Sequence, residues 1–513
     1  MKKSIIIFFI FAIITYFIGA LDKIYKINNL FLFIAFNLIL IFLSIFQILN
    51  LIKKYPKIYL ANPPVVCTIF TFLIPFSLTN VFLTKSITDL IINSDNLYKL
   101  YFLIINSFNL MWAGYWSADY FRRKNLCIKN ILLKIEHYVV LKFPHVNFII
   151  ISILFLFSFS AFFIMNLLNI YGYNSNQESL GIYIHYRYLL HLALNLNYII
   201  LIILTLFLFK EKQKFVFKIF YLFFLSIFLL FGIFSGFKSD FFYPFLTIFA
   251  IFYILKNKFS FIIFFLTIFF TYFSYYPIEY LRNNTKLIQT NEKFSSFDQS
   301  IDVYKKYLDE INTPDVTKTY LNTPDVTKTY LSELKDKTRR IGERLNNFAD
   351  SIRILNFTVS KPDLLNNSET PKFLNSILIS PITAIVPRII WNNKPTNLEG
   401  TWAANILNQY FCEKVKVTCD PITGSASMSS FLYLYFAGGI FIVFLFYFFL
   451  GILQNIIFNL FNPGKFFAPT LIFLILLPKI SLIDSAIYGI ISFFFREFII
   501  LLILQYLIFK KKK

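Results

Sequence analysis

Apolar runs of about 17 to 25 residues, separated by short stretches rich in Lys and Arg, set the pattern of this chain. A bilayer core of about 30 Å takes about 20 helical residues at about 1.5 Å each, so every such run predicts a membrane-spanning helix. The runs fall at about 4–20, 29–52, 62–84, 98–121, 147–170, 189–209, 216–234, 241–255 and 259–276. After a long polar gap they resume at about 428–452, 466–483 and 487–509. About twelve spans are predicted. Lys2 and Lys3 open the first run as they would a signal peptide, but "FIGALD" is a poor cleavage site, which predicts a retained anchor.

The pattern divides the chain into an N-terminal transmembrane bundle over 1–276, a large hydrophilic insert over 277–425 and a C-terminal transmembrane part over 426–513. Of the 513 residues, 57% are apolar and only 15% charged, too little polar surface for a soluble protein of this length. The class is an all-α polytopic membrane protein. A net charge of +22 would point to nucleic acid in a soluble chain, yet the insert is nearly balanced, with 19 Lys and Arg against 17 Asp and Glu. The excess lies in the short connectors, where the positive-inside rule puts it, and no nucleic-acid partner is needed to explain it. With both termini cytoplasmic, the connectors assigned inside hold 22 Lys and Arg, and the short outside ones hold 7. The insert then lies outside.

Within the insert, "PRIIWNNKP" (387–395) sets Arg388 and Lys394 beside the amphipathic Trp391 and between two stiffening prolines. That combination suits a grip on an anionic headgroup at the membrane surface. From Leu331 to Leu355, apolar residues at 331, 334, 341, 345, 348, 352 and 355 keep helical spacing and predict an amphipathic helix. Arg344 falls at the edge of its apolar stripe and Arg340 a little farther round. Arg339 and Arg353 point toward the opposite side. Each also fits a solvated arginine face.

"SGFKSD" (235–240) puts Lys238 and Asp240 at the outer end of a span, where a cation can meet a phosphate and a carboxylate can take a proton. A mere marker of topology is the other reading, and Arg282 in "EYLRNN" has the same two. Arg187 stands in the loop before the sixth span. Arg496 and Glu497 lie near the middle of the last span, where charge is expensive, and should face the bundle interior. Cys412 and Cys419 can close a small disulfide in an oxidising compartment. The perfect repeat "NTPDVTKTYL" at 312–321 and 322–331 is too short and polar for a structural repeat. None of the four histidines lies in the insert, which excludes a histidine base from that loop. No metal-binding or nucleotide-binding motif is present, so no cofactor is implied.

The late large loop, the turn "GFKS", the arginine-bearing "RRIGERLNNFADSI", and "VPRIIWNNKP" followed by "GSASMSSFLYLYFAGG" together resemble the O-antigen polymerase family. The layout covers most of the chain and the motifs only short strings of it. The resemblance implies a GT-C-like glycosyltransferase bundle with a periplasmic loop in the bacterial inner membrane. It implies metal-independent polymerisation of lipid-linked repeat units into O-antigen or a related surface polysaccharide. Donor and acceptor would both be carried on undecaprenyl pyrophosphate, among membrane lipids and with a chain-length regulator as a further partner. Arg388, Arg344 and Lys238 would then hold the pyrophosphate, backed by Arg282, Arg340, Arg187, Lys394 and Trp391, with Asp240 as base. The related ligases differ by a histidine in the large loop, absent here. A ligase and a lipid-linked oligosaccharide flippase remain the alternatives.

Overall fold

The computed structural model describes residues 28–56, 59–78, 91–124, 144–146, 148–168, 170–171, 183–210, 215–235, 238–267, 269, 305–306, 347–362, 372–386, 391, 399–415, 428–461, 463, 467–482, 487–492, 494–495 and 498–511. In chain order the helices are α1 (Asn29–Lys54), α2 (Pro63–Phe76), α3 (Leu97–Lys124), α4 (Phe148–Leu167), α5 (Ile184–Lys210), α6 (Phe215–Ser235) and α7 (Lys238–Lys256). Then come α8 (Asn347–Ser360), α9 (Phe373–Ile385), α10 (Glu399–Val415), α11 (Ser430–Phe461), α12 (Phe467–Ile480), α13 (Ile487–Ser492) and α14 (Phe498–Ile508). Among the described residues the fold is helical apart from one ribbon, in which β1 (Pro144–Val146) pairs antiparallel with β2 (Phe509–Lys511).

Among the described residues, five helices are long and apolar enough to cross a membrane: Asn29–Lys54, Ile149–Leu167, Leu189–Phe209, Phe215–Ile233 and Ser430–Phe461. The first predicted span lies outside the described residues. Of the third, expected as one helix over about 62–84, the described part is helical over Pro63–Phe76 and irregular within that, and residues 79–84 lie outside the described residues. Pro63 and Pro64 start it, Thr68–Leu73 is a π turn and Pro75 follows at once. Proline lacks the N–H that an α ladder needs, and widening the preceding turn accommodates it. Within the last predicted span α13 and α14 are described, and Arg496 and Glu497 between them lie outside the described residues.

Two compact units group the chain. The second (141–333, 462–475 and 503–513) contains α4 to α7. Aromatic contacts hold it together: the rings of Phe162 and Phe231 stack 3.7 Å apart, and the Tyr171 hydroxyl donates to the Phe231 carbonyl at 2.8 Å. Helix α7 stops at Asn257, whose φ of 50° is the left-handed conformation that ends helices.

The first unit (1–140, 334–461 and 476–502) is organised by α3, buried along most of its length and crossed by α11. At the crossing Gly114 faces the Phe448 carbonyl and Gly451 faces the Met111 carbonyl, and a Cβ on either glycine would overlap that backbone. Small residues at such a contact let two backbones approach closely, which is how helices gain packing energy where lipid removes the hydrophobic drive. Helix α11 breaks near its start at Gly438 and Gly439, and Gly439 takes a φ of 70° that other residues rarely adopt.

Candidate functional site

Helices α1, α3 and α11 run in the same direction. At their N-terminal ends the Asn29 amide donates to the Ile92 and Ser94 carbonyls at 2.9 and 3.1 Å, and the rings of Phe33 and Tyr101 meet at 6.1 Å. At the C-terminal ends Tyr55, just past α1, donates to Asp119 of α3 at 2.8 Å and touches the ring of Phe458 of α11. The bundle therefore has two chemically distinct ends.

The N-terminal end carries a helical cap drawn from the insert. Helix α8 lies on it through Phe348, Ile352 and Leu355, all fully buried. These three belong to the stripe expected from the sequence, and the described helix continues past Leu355 to Ser360. The Phe348 ring packs 5.2 Å from Phe33 and 5.7 Å from Tyr101. Burying one such ring contributes about 2 kcal/mol. Polar contacts fix the register. Asn96 donates to the Asn356 side-chain oxygen at 3.0 Å, and Ser351 donates to Ser429 at 3.1 Å.

Helix α10 covers another side of α8. Arg353, expected to point away from the apolar stripe, is mostly covered: its guanidinium lies 5.0 Å over the Phe411 ring and pairs with Asp350 at 3.1 Å. The stripe expected from the sequence records one apolar face of α8, whereas α10 meets another side through Phe411 over Arg353 and Tyr410 against the buried Phe357 ring at 6.2 Å. Lys361 pairs with Glu413 across the same two helices. Helix α9 joins the cap through Phe373, packed against Trp402, Tyr433 and Phe436 at 5.3, 5.3 and 5.8 Å. Lys99, at the start of α3, lies 4.7 Å over the Tyr435 ring, and no described carboxylate pairs with it.

The opposite end is ionic. Asp119, 1% exposed, takes Lys54, Arg122 at 3.1 Å and Arg123 at 3.4 Å, together with the Tyr55 hydroxyl. Lys54 also lies 4.6 Å over the Trp116 ring. Burial, and then the carboxylate it donates to, push the Tyr55 phenol above its ordinary value, so it stays protonated and keeps donating at neutral pH. These cations occupy the last turns of α1 and α3, where the helix dipole favours positive charge.

No protein-family model, curated protein or solved structure matches the chain.

Of the residues expected to form the site, Trp391 is described and half-buried. Arg388, Arg344, Arg340, Arg282 and Lys394 lie outside the described residues. Lys238 and Asp240 occupy the first turn of α7, and Arg187 the first turn of α5, both helices of the second unit. Cys412 is in a disulfide, while Cys419, its expected partner, lies outside the described residues. Among the described residues no group of His, Cys, Asp or Glu side chains can hold a metal ion. Sequence reasoning passed over Lys99, Asn356 and the Asp119 cluster. For Asp119 a signal was present, since Arg122 and Arg123 follow it at helical spacings of three and four.

Proposed function

We propose that the chain is a polysaccharide repeat-unit polymerase of a bacterial inner membrane, extending glycans carried on undecaprenyl pyrophosphate at the outer face. One observation carries the reading: a layer of insert helices is seated on the N-terminal ends of parallel helices whose other ends gather cations around Asp119. That arrangement supports a bundle spanning a bilayer with its basic end toward the cytoplasm and its cap on the far side. The disulfide at Cys412, in the cap, supports an oxidising compartment.

In this reading an acceptor hydroxyl attacks the anomeric carbon of the donor glycan and the carbon–oxygen bond to pyrophosphate breaks. The electron pair leaves with undecaprenyl pyrophosphate, and the hydroxyl proton passes to a carboxylate. Arg388 and Arg344 of the insert hold the departing diphosphate, because a guanidinium offers planar paired donors and keeps its charge at every physiological pH. Stabilising charge as it develops on the leaving oxygen lowers the barrier without a metal. A flippase is expected to carry short, even loops, so a folded cap of this size favours an enzyme.

Deleting the protein from its host and separating the surface polysaccharide on a gel tests the reading. Single repeat units capped onto their acceptor are expected. Long chains that accumulate unattached would instead indicate a ligase, and complete loss of surface glycan a flippase.

A further inference from the structure

Helix α9 has its polarity inside out. Its packed face, against α13 and α11, is made of Phe373, Ser380, Thr383 and Ala384. Its outward face is made of large aliphatic residues: Leu374, Leu378, Ile382 and Ile385 are 42, 65, 58 and 56% exposed. These follow one another at spacings of four, four and three, a single stripe along the helix. A helix on the surface of a water-soluble layer has the reverse arrangement, with aliphatic residues inward and polar ones outward. Small residues inward and large aliphatics outward is the pattern of helices that pack in lipid.

On the packed face Ser380 donates to the Ile377 carbonyl at 2.6 Å and Thr383 to the Ser380 carbonyl at 3.1 Å, so both hydroxyls hydrogen-bond within the helix. No charged residue lies between Lys372 and Arg388, although the surrounding insert is highly charged. Helix α11, against which α9 packs, is long and apolar enough to cross a membrane and has the same kind of outward residues, with Phe441 71% and Phe449 56% exposed.

We infer that α9 is in contact with lipid: its Leu374–Leu378–Ile382–Ile385 face is covered by acyl chains of the bilayer, so the insert returns to the membrane midway along its length. At about 1.5 Å per residue the helix is about 20 Å long, short of a full crossing, so it enters one leaflet or lies along its surface. Polar residues mark its N-terminal end, where Lys372 and Asn375 are exposed. The inference is independent of the reaction the protein performs.

Cysteines placed singly at Leu378 and Ile382 and spin-labelled test it in the full-length protein, reconstituted in nanodiscs of phosphatidylethanolamine and phosphatidylglycerol. Cys127 is replaced by serine, and buried Cys67 and the Cys412 disulfide are left in place. Collision with molecular oxygen, which concentrates in acyl chains, is compared with collision with a water-soluble nickel complex. Labels at Phe441 and Lys361 serve as lipid and water references. At both α9 positions the oxygen-to-nickel ratio is expected to match Phe441 and to exceed Lys361 several-fold. Nickel access equal to that at Lys361 would overturn the inference. So would a label shielded from both reagents and broadened by a second label nearby, which would mean that another copy of the chain covers the face. Wild-type elution in size-exclusion chromatography shows that each labelled variant is folded.

Discussion

The two ends of the first unit are built from the same helices by opposite means. At the cap end, rings and neutral hydrogen bonds make the contacts: Phe348 between Phe33 and Tyr101, and Asn356 beside Ser94 and Asn96. At the basic end, one buried carboxylate gathers three cations and a phenol. Aromatic packing lets a separate layer of helices dock, because a ring buries much area with few degrees of freedom. Charge cannot do this cheaply. Instead it ties the tips of α1 and α3 together at a depth where cations can reach water and headgroups.

The comparison can be broken where the two ends share a support. Replacing Gly451 or Gly114 with Leu forces α3 and α11 apart at their crossing and should cost about 3 kcal/mol or more. Both ends should loosen together, read as a large fall in melting temperature in detergent and as faster hydrogen exchange in α8 and at Tyr55. Truncating Phe348 to Ala removes a fully buried ring, a loss of about 3 kcal/mol. Here exchange should rise in α8 while the α3–α11 crossing stays protected. Asp119→Ala leaves three partly exposed cations without their shared carboxylate and should cost about 2 kcal/mol. Its effect should be confined to the last turns of α1 and α3, with the cap unchanged. Arg353→Ala should be the mildest, below about 1 kcal/mol, because its ion pair is half in water and the contact with Phe411 is a single cation–ring interaction.

Much of this was legible in the sequence. The long apolar runs marked α1, α3 and α11, and the spacing of Phe348, Ile352 and Leu355 marked the buried face of α8. What escaped did so for physical reasons. Helix α9 lies in an insert that is hydrophilic in overall composition, although the fifteen residues between Lys372 and Arg388, which include its thirteen, carry no charge at all. The π turn in α2 was hidden because length and apolarity are blind to where a proline interrupts the ladder. Gly114 and Gly451 are single glycines in apolar runs, and only three dimensions show that they face each other's helix backbone. The cover that α10 gives Arg353 comes from an element some sixty residues away in sequence, beyond the reach of local periodicity.

At the centre of the proposed function, arginines of the insert would neutralise a diphosphate as it leaves its lipid carrier. Purified protein mixed in detergent with repeat units linked to undecaprenyl pyrophosphate tests it most directly, with products resolved by length. Chain growth without any sealed membrane is predicted, together with its loss in Arg388→Ala and Arg344→Ala variants that keep the wild-type melting temperature. Turnover that requires a closed vesicle, or chain growth undiminished in both variants, would contradict the account.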